Sequence, residues 1–272
     1  MPSSPPPLAL KSYGMIGNAD HVILRSTLQV LLNDPALPAP SFVMEDEGTT
    51  ALKQKTMWYN SEYFSKRPAS LPTCAEMCAS RSPPIPHFTT SNCNSSEALD
   101  LLKPFSVQVL VLANTRIVKP PLLSIPTVTS LNCHGAYLPT KDPRFTAPFP
   151  SGYLRGALVF LFAVLSDAPT GLTLHHVLPA IDAGRIVQNC AVPVRRGDEF
   201  TDLIGEVVSR TAALWCKGLK EFDGTNSGAE QDESMFPDAT CRRSPKTPEG
   251  VAELCHKVDE VLKGGKYSWF VE

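Results

Sequence analysis

Residues 107–112 read Val107-Gln108-Val109-Leu110-Val111-Leu112, with five apolar side chains in six positions and three of them β-branched. So short and continuous a run suits a strand buried on both faces, as in the middle of a parallel sheet. Working outward, further strands are predicted at 127–133, just after Pro126, and at 171–177 and 186–194. Between and after them the apolar spacing becomes helical, over 152–165 and over the long stretch 200–220. Upstream, Val22, Leu24, Leu28, Val30, Leu31 and Leu32 recur at helical spacing until Asn33-Asp34-Pro35 stops them. Residues 40–44 suit a short strand, and Ser96 suits the N-cap of a short helix ending near Pro104. Residues 45–95 carry no sustained period. Strands alternating with helices predict an α/β fold with a mainly parallel sheet flanked by helices.

The 272 residues are enough for one large core, and 43% hydrophobic content can fill it. A formal charge of -2, without a dense Lys/Arg run, argues against bulk attraction to nucleic acid or to an acidic membrane. The 26 prolines are spread along the chain, which predicts long irregular connections around that core. The opening Met1-Pro-Ser-Ser-Pro-Pro-Pro7 has neither a charged n-region nor an apolar h-region, and it is not Arg-rich like a transit peptide. The most apolar run, 156–165, is too short to span a bilayer, which needs about 20 residues. The eight cysteines form no dense framework. Reduced thiols in a soluble cytoplasmic protein are expected, with a mitochondrial setting left open.

Four segments are expected. Residues 1–12 read as a loose tail, 13–222 as the α/β domain, and 223–247, polar and punctuated by Gly, Pro and Ser, as a mobile linker or insertion. In 248–272 a helix begins with Thr247 as N-cap and Pro248 at its first position, and Gly264-Gly265 ends it. Its apolar face, Val251, Leu254, Cys255, Val258, Val261 and Leu262, is expected to pack back on the core.

The strand at 127–133 runs into Asn132-Cys133-His134, followed by Leu138-Pro139. Ligands bind at strand ends in open α/β sheets. Asn132 and His134, two apart in an extended chain, share a face and can converge on one group. An amide donor beside an imidazole suits an oxyanion and a proton transfer. The bland alternative is a polar pair beside a turn. Downstream, Ile181-Asp182-Ala183-Gly184 makes a tight connection, where a carboxylate can orient His134 or merely hold its own turn.

Taken together these pieces are specific. The apolar strand, Arg116-Ile117-Val118, Asn132-x-His134, Leu138-Pro139, Gly171-Leu-Thr-Leu-His175 and Ile181-Asp182-Ala183-Gly184 follow in order, and this segment resembles the 10-formyltetrahydrofolate-dependent formyltransferases. That family includes methionyl-tRNA, glycinamide ribonucleotide and amino-sugar formyltransferases. The resemblance implies a Rossmann-like formyltransferase core and a transferase moving a formyl group from 10-formyltetrahydrofolate to an amine, methionyl-tRNA-type or amino-sugar-type. It assigns catalysis to Asn132, His134 and Asp182. It assigns the folate pocket to the loops Arg116, Ile117, Val118 and Leu178, Pro179, Ala180, Ile181. It implies a place in one-carbon metabolism, no metal, no membrane partner, and no nucleic acid beyond a tRNA acceptor. Hydrolysis of 10-formyltetrahydrofolate and a non-catalytic folate- or nucleotide-binding relative are the alternatives.

The departures are local. The loop Thr140–Pro150 is long and Pro-rich, and the segment Gly14-Met15-Ile16-Gly17-Asn18 lacks a Gly-rich phosphate cradle. Cys74, Cys78, His87 and Cys93 could be written as a zinc site, but their spacing is loose and no second motif supports it. Cys133 is expected to face away from Asn132 and His134 as a small packed residue, and His176 to be a structural neighbour of His175. Tyr267, Trp269 and Phe270 are expected to anchor the C-terminus.

Overall fold

The run at 107–112 becomes the fourth strand of a mixed sheet in a computed structural model, which describes residues 9–66, 71–145, 154–232, 234 and 241–271. The first half contains β1 (Tyr13–Asn18), α1 (Val22–Asn33), β2 (Val43–Asp46), α2 (Thr50–Ser65), α3 (Cys74–Ala79), β3 (His87–Thr90) and α4 (Ser96–Leu102). The centre contains β4 (Val109–Ala113), α5 (Pro120–Leu123), β5 (Thr129–His134), β6 (Arg155–Gly156), α6 (Val159–Leu165), β7 (Gly171–His176) and β8 (Ile186–Ala191). The remainder contains β9 (Val194–Arg195), α7 (Phe200–Lys220), β10 (Cys241–Arg242), α8 (Pro248–Lys263) and β11 (Phe270–Val271).

Among the described residues, seven strands form one sheet in the order β3-β2-β1-β4-β5-β7-β8. The first five in that order pair in parallel, while β7 runs antiparallel to both β5 and β8. The expected mainly parallel α/β sheet is therefore present. Two small ribbons, β6 with β10 and β9 with β11, lie outside it.

Alternation along β4 divides the interior. Val109 and Val111 join a large cluster with Leu24 and Leu28 of α1, Leu203, Val207 and Trp215 of α7, and Val251 and Val258 of α8. Leu110 and Leu112 join a thinner one on the opposite face with Ile16, Met44, Leu102 and Leu122. Both faces of β4 are thus covered, which is why its sequence is apolar throughout.

The elements that periodicity does not reveal have physical explanations. β1, Tyr-Gly-Met-Ile-Gly-Asn, is wholly buried, yet Gly14 weakens its strand signal. A Cβ at Gly14 would lie 2.2 Å from the Phe42 ring, so packing demands the glycine that disguises the strand. α2 buries Thr56, Tyr59, Asn60 and Tyr63, a helical spacing without an aliphatic stripe. The helix predicted from 152 begins only at Val159, after left-handed Leu158; residues 152–153 lie outside the described set. The strand predicted over 186–194 divides into β8 and β9 around Val192-Pro193, where proline cannot donate to a ladder.

Within the expected tail, Leu10 is buried and Ser12 accepts at its carbonyl from Gln108, leading into β1; residues 1–8 lie outside the described set. In the polar stretch from 223, Ala229 exchanges two backbone hydrogen bonds with Ile186, and the Asp232 N–H donates to the Pro139 carbonyl. Residues 223–232 are therefore built onto the core over that span, while 233 and 235–240 are outside the described set. α8 packs against α6 and α2 as its apolar face predicts. At the end, the Tyr267 hydroxyl donates to the Ala168 carbonyl and Trp269 Nε1 to the Asp167 carbonyl.

Candidate active site

β5 ends on Asn132 and His134, and antiparallel pairing sets Asn132 directly opposite His175 of β7. His175 Nδ1 lies 2.7 Å from the His176 carbonyl, so that nitrogen carries the proton. Its Nε2 then accepts from Asn132 Nδ2 at 3.3 Å. Burial, and the nearby His134 second, push the His175 pKa down to about 4. A neutral His175 is what an amide donor requires.

His134 is 3% exposed, with both ring nitrogens facing acceptors: Nδ1 is 3.4 Å from Asp182 Oδ1 and Nε2 is 2.6 Å from the Leu154 carbonyl. Burial by itself would lower its pKa. The Asp182 carboxylate and the Leu154 carbonyl outweigh that and raise it above the ordinary histidine value. Asp182 responds in the opposite sense. Burial would raise its pKa, but His134 and the Gly156 N–H, 2.8 Å from Oδ2, hold it well below the carboxylate range. The arrangement accommodates an imidazolium–carboxylate pair.

Three elements hold that pair. Asp182 itself is left-handed, with φ 49°, so it turns the chain at the residue that carries the carboxylate. Gln231 Nε2 donates to the carbonyls of Asp182 (2.9 Å) and Gly184 (2.7 Å), and its Oε1 accepts from Arg155 at 3.1 Å. Gly156 has φ 110°, and a Cβ there would lie 2.0 Å from the Arg242 carbonyl. Pairing of β6 with β10 therefore needs glycine at the residue that holds Asp182.

A cavity of about 620 Å³ opens on these groups. Both loops expected to wall a ligand pocket line it, at 116–118 and 178–181. The Arg116 side chain turns away to the fully buried Asp46 carboxylate, 2.6 Å from Nη2, so this residue offers the cavity its backbone. Asn94 braces the same loop, donating to the Ile117 carbonyl and accepting from the Lys119 N–H. Ile117, Leu178 and Ile181 are 70%, 48% and 45% exposed, and they make an uncovered apolar rim. The remaining walls include Asn18, His21, Lys55, Tyr59, Arg243 and Ser244.

Sequence reasoning did not single out Leu154, Gly156 or Gln231, and it gave His175 no role of its own. The motif Gly171-Leu-Thr-Leu-His175 is the available signal for His175. The other three reach the site from 20 to 49 residues away in sequence, with no motif to mark them. His176 is a packed neighbour, as expected, with Thr129 Oγ1 on one nitrogen and the Ser227 carbonyl on the other. His87 bonds to Glu45 at 2.7 Å, and among the described residues no three His, Cys, Asp or Glu side chains converge as metal ligands. Among the same residues, no helix is long and apolar enough to cross a membrane.

Residues 42–214, more than half of the chain, match the family model described as formyl transferase. The chain belongs to the formyl transferase family. It is similar to methionyl-tRNA formyltransferase from Staphylococcus aureus strain Newman, 24% identical over 157 residues, covering 56% of this chain and 45% of that protein. The chain thus spans less than half the length of the curated relatives it matches. The fold is shared with phosphoribosylglycinamide formyltransferase from Streptococcus pneumoniae TIGR4, at TM-score 0.52 and 17% identity over 78% of this chain and 98% of that one. It is shared too with the N-formyltransferase from Helicobacter canadensis in complex with folinic acid and dTDP-3-aminofucose, at TM-score 0.53 and 14% identity over 85% and 70%.

Proposed function

We propose that the chain transfers a formyl group from 10-formyltetrahydrofolate to an amine, with Asn132, His134 and Asp182 as its catalytic residues. One observation carries the reading: the three side chains meet on a single cavity whose rim, at Ile117, Leu178 and Ile181, is apolar and uncovered. A flat pterin would be held there by the backbone of 116–118 and 178–181, with those side chains against its faces.

The chemistry follows from the donors. The amine attacks the formyl carbon, the carbon–N10 bond breaks, and the proton lost by the attacking nitrogen is returned to N10. Asn132 Nδ2 uses one N–H on His175 and keeps the second for the oxyanion. His134 Nε2–H is already a donor, and a substrate oxygen that displaces the Leu154 carbonyl receives the same hydrogen bond. Asp182 keeps the ring oriented and favours its charged form while the proton moves. The reading makes the chain part of one-carbon metabolism, and the free thiols among the described cysteines suit a reducing compartment such as the cytoplasm. Both acceptor types have support: the curated relatives are methionyl-tRNA formyltransferases, and the Helicobacter canadensis enzyme is in complex with an amino-sugar nucleotide.

The test is incubation with 10-formyltetrahydrofolate and a panel of amines, following tetrahydrofolate release. Amine-dependent release is expected. Release without any amine would identify a hydrolase, and no release with any acceptor would identify a binding relative.

A further inference from the structure

Asp46 closes β2 at the carboxyl edge of the sheet, between β1 and β3. Its side chain is fully buried, and a buried carboxylate is tolerated only when it is paired and hydrogen-bonded. Its partners come from four connections. From the turn after β2 the Gly48 N–H donates to Oδ1 (2.9 Å), and from the segment after β3 the Cys93 N–H donates to Oδ2 (3.1 Å). Arg116, after β4, donates from Nη2 to Oδ1 (2.6 Å) and sets Nε 2.6 Å from Oδ2, so its guanidinium spans both oxygens. The Asp46 carbonyl accepts from the Ala19 N–H in the turn after β1 (2.9 Å). One residue thus ties together the connections that leave β1, β2, β3 and β4. Burial by itself would raise the Asp46 pKa, but Arg116 and Cys93 outweigh it and hold the carboxyl below its ordinary value.

Two of those connections wall the cavity, with residues 114–118 on one part of its lining and Asn18 on another. Arg116 is held twice over, since Nη2 also donates to the Ser91 carbonyl (2.9 Å). The segment that Asp46 grips through Cys93 continues into Asn94. The Asn94 amide bonds the Ile117 carbonyl and the Lys119 N–H, on either side of Val118. The loop that carries the Ile117 rim is therefore anchored to one carboxylate directly by a side chain and indirectly through its backbone. Asn132, His134 and Asp182 sit elsewhere, on β5 and in the connection after β7, and take no part in these contacts.

We propose that Asp46 is a positioning residue for the formyl donor: through Arg116 and Cys93 it fixes the backbone of 116–118 in the form that receives the flat ring. The word donor rests on the formyl-transfer reading; the anchoring of the loop stands on its own contacts. Removing one charge of a buried pair leaves the other unpaired and is destabilising for that reason alone, whereas removing both together is often neutral. The paired change therefore separates positioning from mere stabilisation. With the pair gone, residues of the loop must be ordered as the ligand binds, and each one so ordered weakens affinity by roughly tenfold.

The experiment is calorimetric titration of the full chain with folinic acid as the probe, alongside the melting temperature of each protein. The double variant Asp46→Asn with Arg116→Met removes both charges, and Arg116→Lys keeps the charge without the fork. Glu47→Gln is the control, since Glu47 pairs with Lys53 at the surface. The double variant is expected to melt near wild type and to bind about tenfold more weakly. Arg116→Lys should fall between the two, and Glu47→Gln should match wild type. With an amine that turns over, the donor KM should rise in the same order while kcat holds within about twofold. A folded double variant with wild-type affinity overturns the positioning role. Should the double variant not fold, Arg116→Lys decides, and wild-type affinity there overturns it equally. Amide hydrogen exchange without ligand should be faster at 114–119 in both Arg116 variants. If folinic acid binds none of the proteins, wild type included, the donor reading falls and exchange alone judges the anchor: faster rates at 114–119 support it, and unchanged rates overturn it.

Discussion

His134 Nδ1 lies 3.4 Å from Asp182 Oδ1, and the two groups shift in opposite directions, the imidazole up and the carboxylate down. Each therefore contributes stability over a definite pH range. His134, raised from 6.5, contributes in full below that value, and its share is lost as pH rises through the native pKa. Asp182, lowered from 3.8, contributes above that value, and its share is lost as pH falls through the native pKa. The pair should matter most between about pH 4 and 6.5. Urea unfolding of wild type and Asp182→Asn across pH should give its widest difference there. A difference that does not vary with pH would remove the ion pair from the account.

Removal of the imidazole separates chemistry from binding. His134→Ala deletes a donor and the proton carrier, and it should cost about 10²–10³ in turnover or more. Folinic acid affinity should stay near wild type, because the loops at 116–118 and 178–181 do not depend on this ring. A folded His134→Ala protein that transfers formyl groups at the wild-type rate would end the mechanism.

The legible part of the fold is the part with unmixed periodicity. Val107–Leu112, the α7 stretch and the α8 stripe announce themselves because each buries aliphatic residues on a face of one geometry. β1 does not, since close packing on Phe42 forces glycine into its centre. α2 does not, since its inner face is Thr56, Tyr59, Asn60 and Tyr63. In the site, Asn132, His134 and Asp182 could be read because each sits at a strand end or turn within a recognisable series. The groups that hold them could not. Gly156 and Gln231 reach Asp182 across 26 and 49 residues, and no local pattern encodes a partner that distant.

Gln231 is a positioning residue with a separable signature. Its amide grips the carbonyls of Asp182 and Gly184 and so fixes the turn that aims the carboxylate. Gln231→Ala should lower kcat by about tenfold to a hundredfold with little change in the donor KM. The histidine-linked step in the pH–rate profile should move down, because an Asp182 displaced from His134 no longer offsets burial of the ring. Gln231→Glu has the same shape without the donor, so it should fail in the same way. Rescue by glutamate would show that only packing is needed.

Gly156→Ala should be more damaging than its position on a two-residue strand suggests. The added Cβ would press on the Arg242 carbonyl, at a backbone φ of 110° that alanine resists. A loss of about 1–3 kcal/mol in unfolding free energy is expected. Activity should fall with it, because the Gly156 N–H holds Asp182 Oδ2. An alanine variant with wild-type stability and rate would show that β6 and β10 need not stay paired for the site to work.

The apolar rim gives the last prediction, which bears on the donor alone. Ile117, Leu178 and Ile181 are 70%, 48% and 45% exposed, so they contribute little to folding, and polar replacements should change stability by less than about 0.5 kcal/mol. If a pterin covers them, each buries on the order of 50–80 Å² of apolar surface on binding. At about 25 cal/mol per Å², that is roughly 1–2 kcal/mol for each side chain. Ile117→Asn and Leu178→Asn should therefore each weaken folinic acid binding by about fivefold to thirtyfold while melting as wild type does. Ile117 and Leu178 stand on separate loops, so the double variant should lose more affinity than either single variant. Unchanged affinity in that double variant would mean that the rim serves something other than a folate.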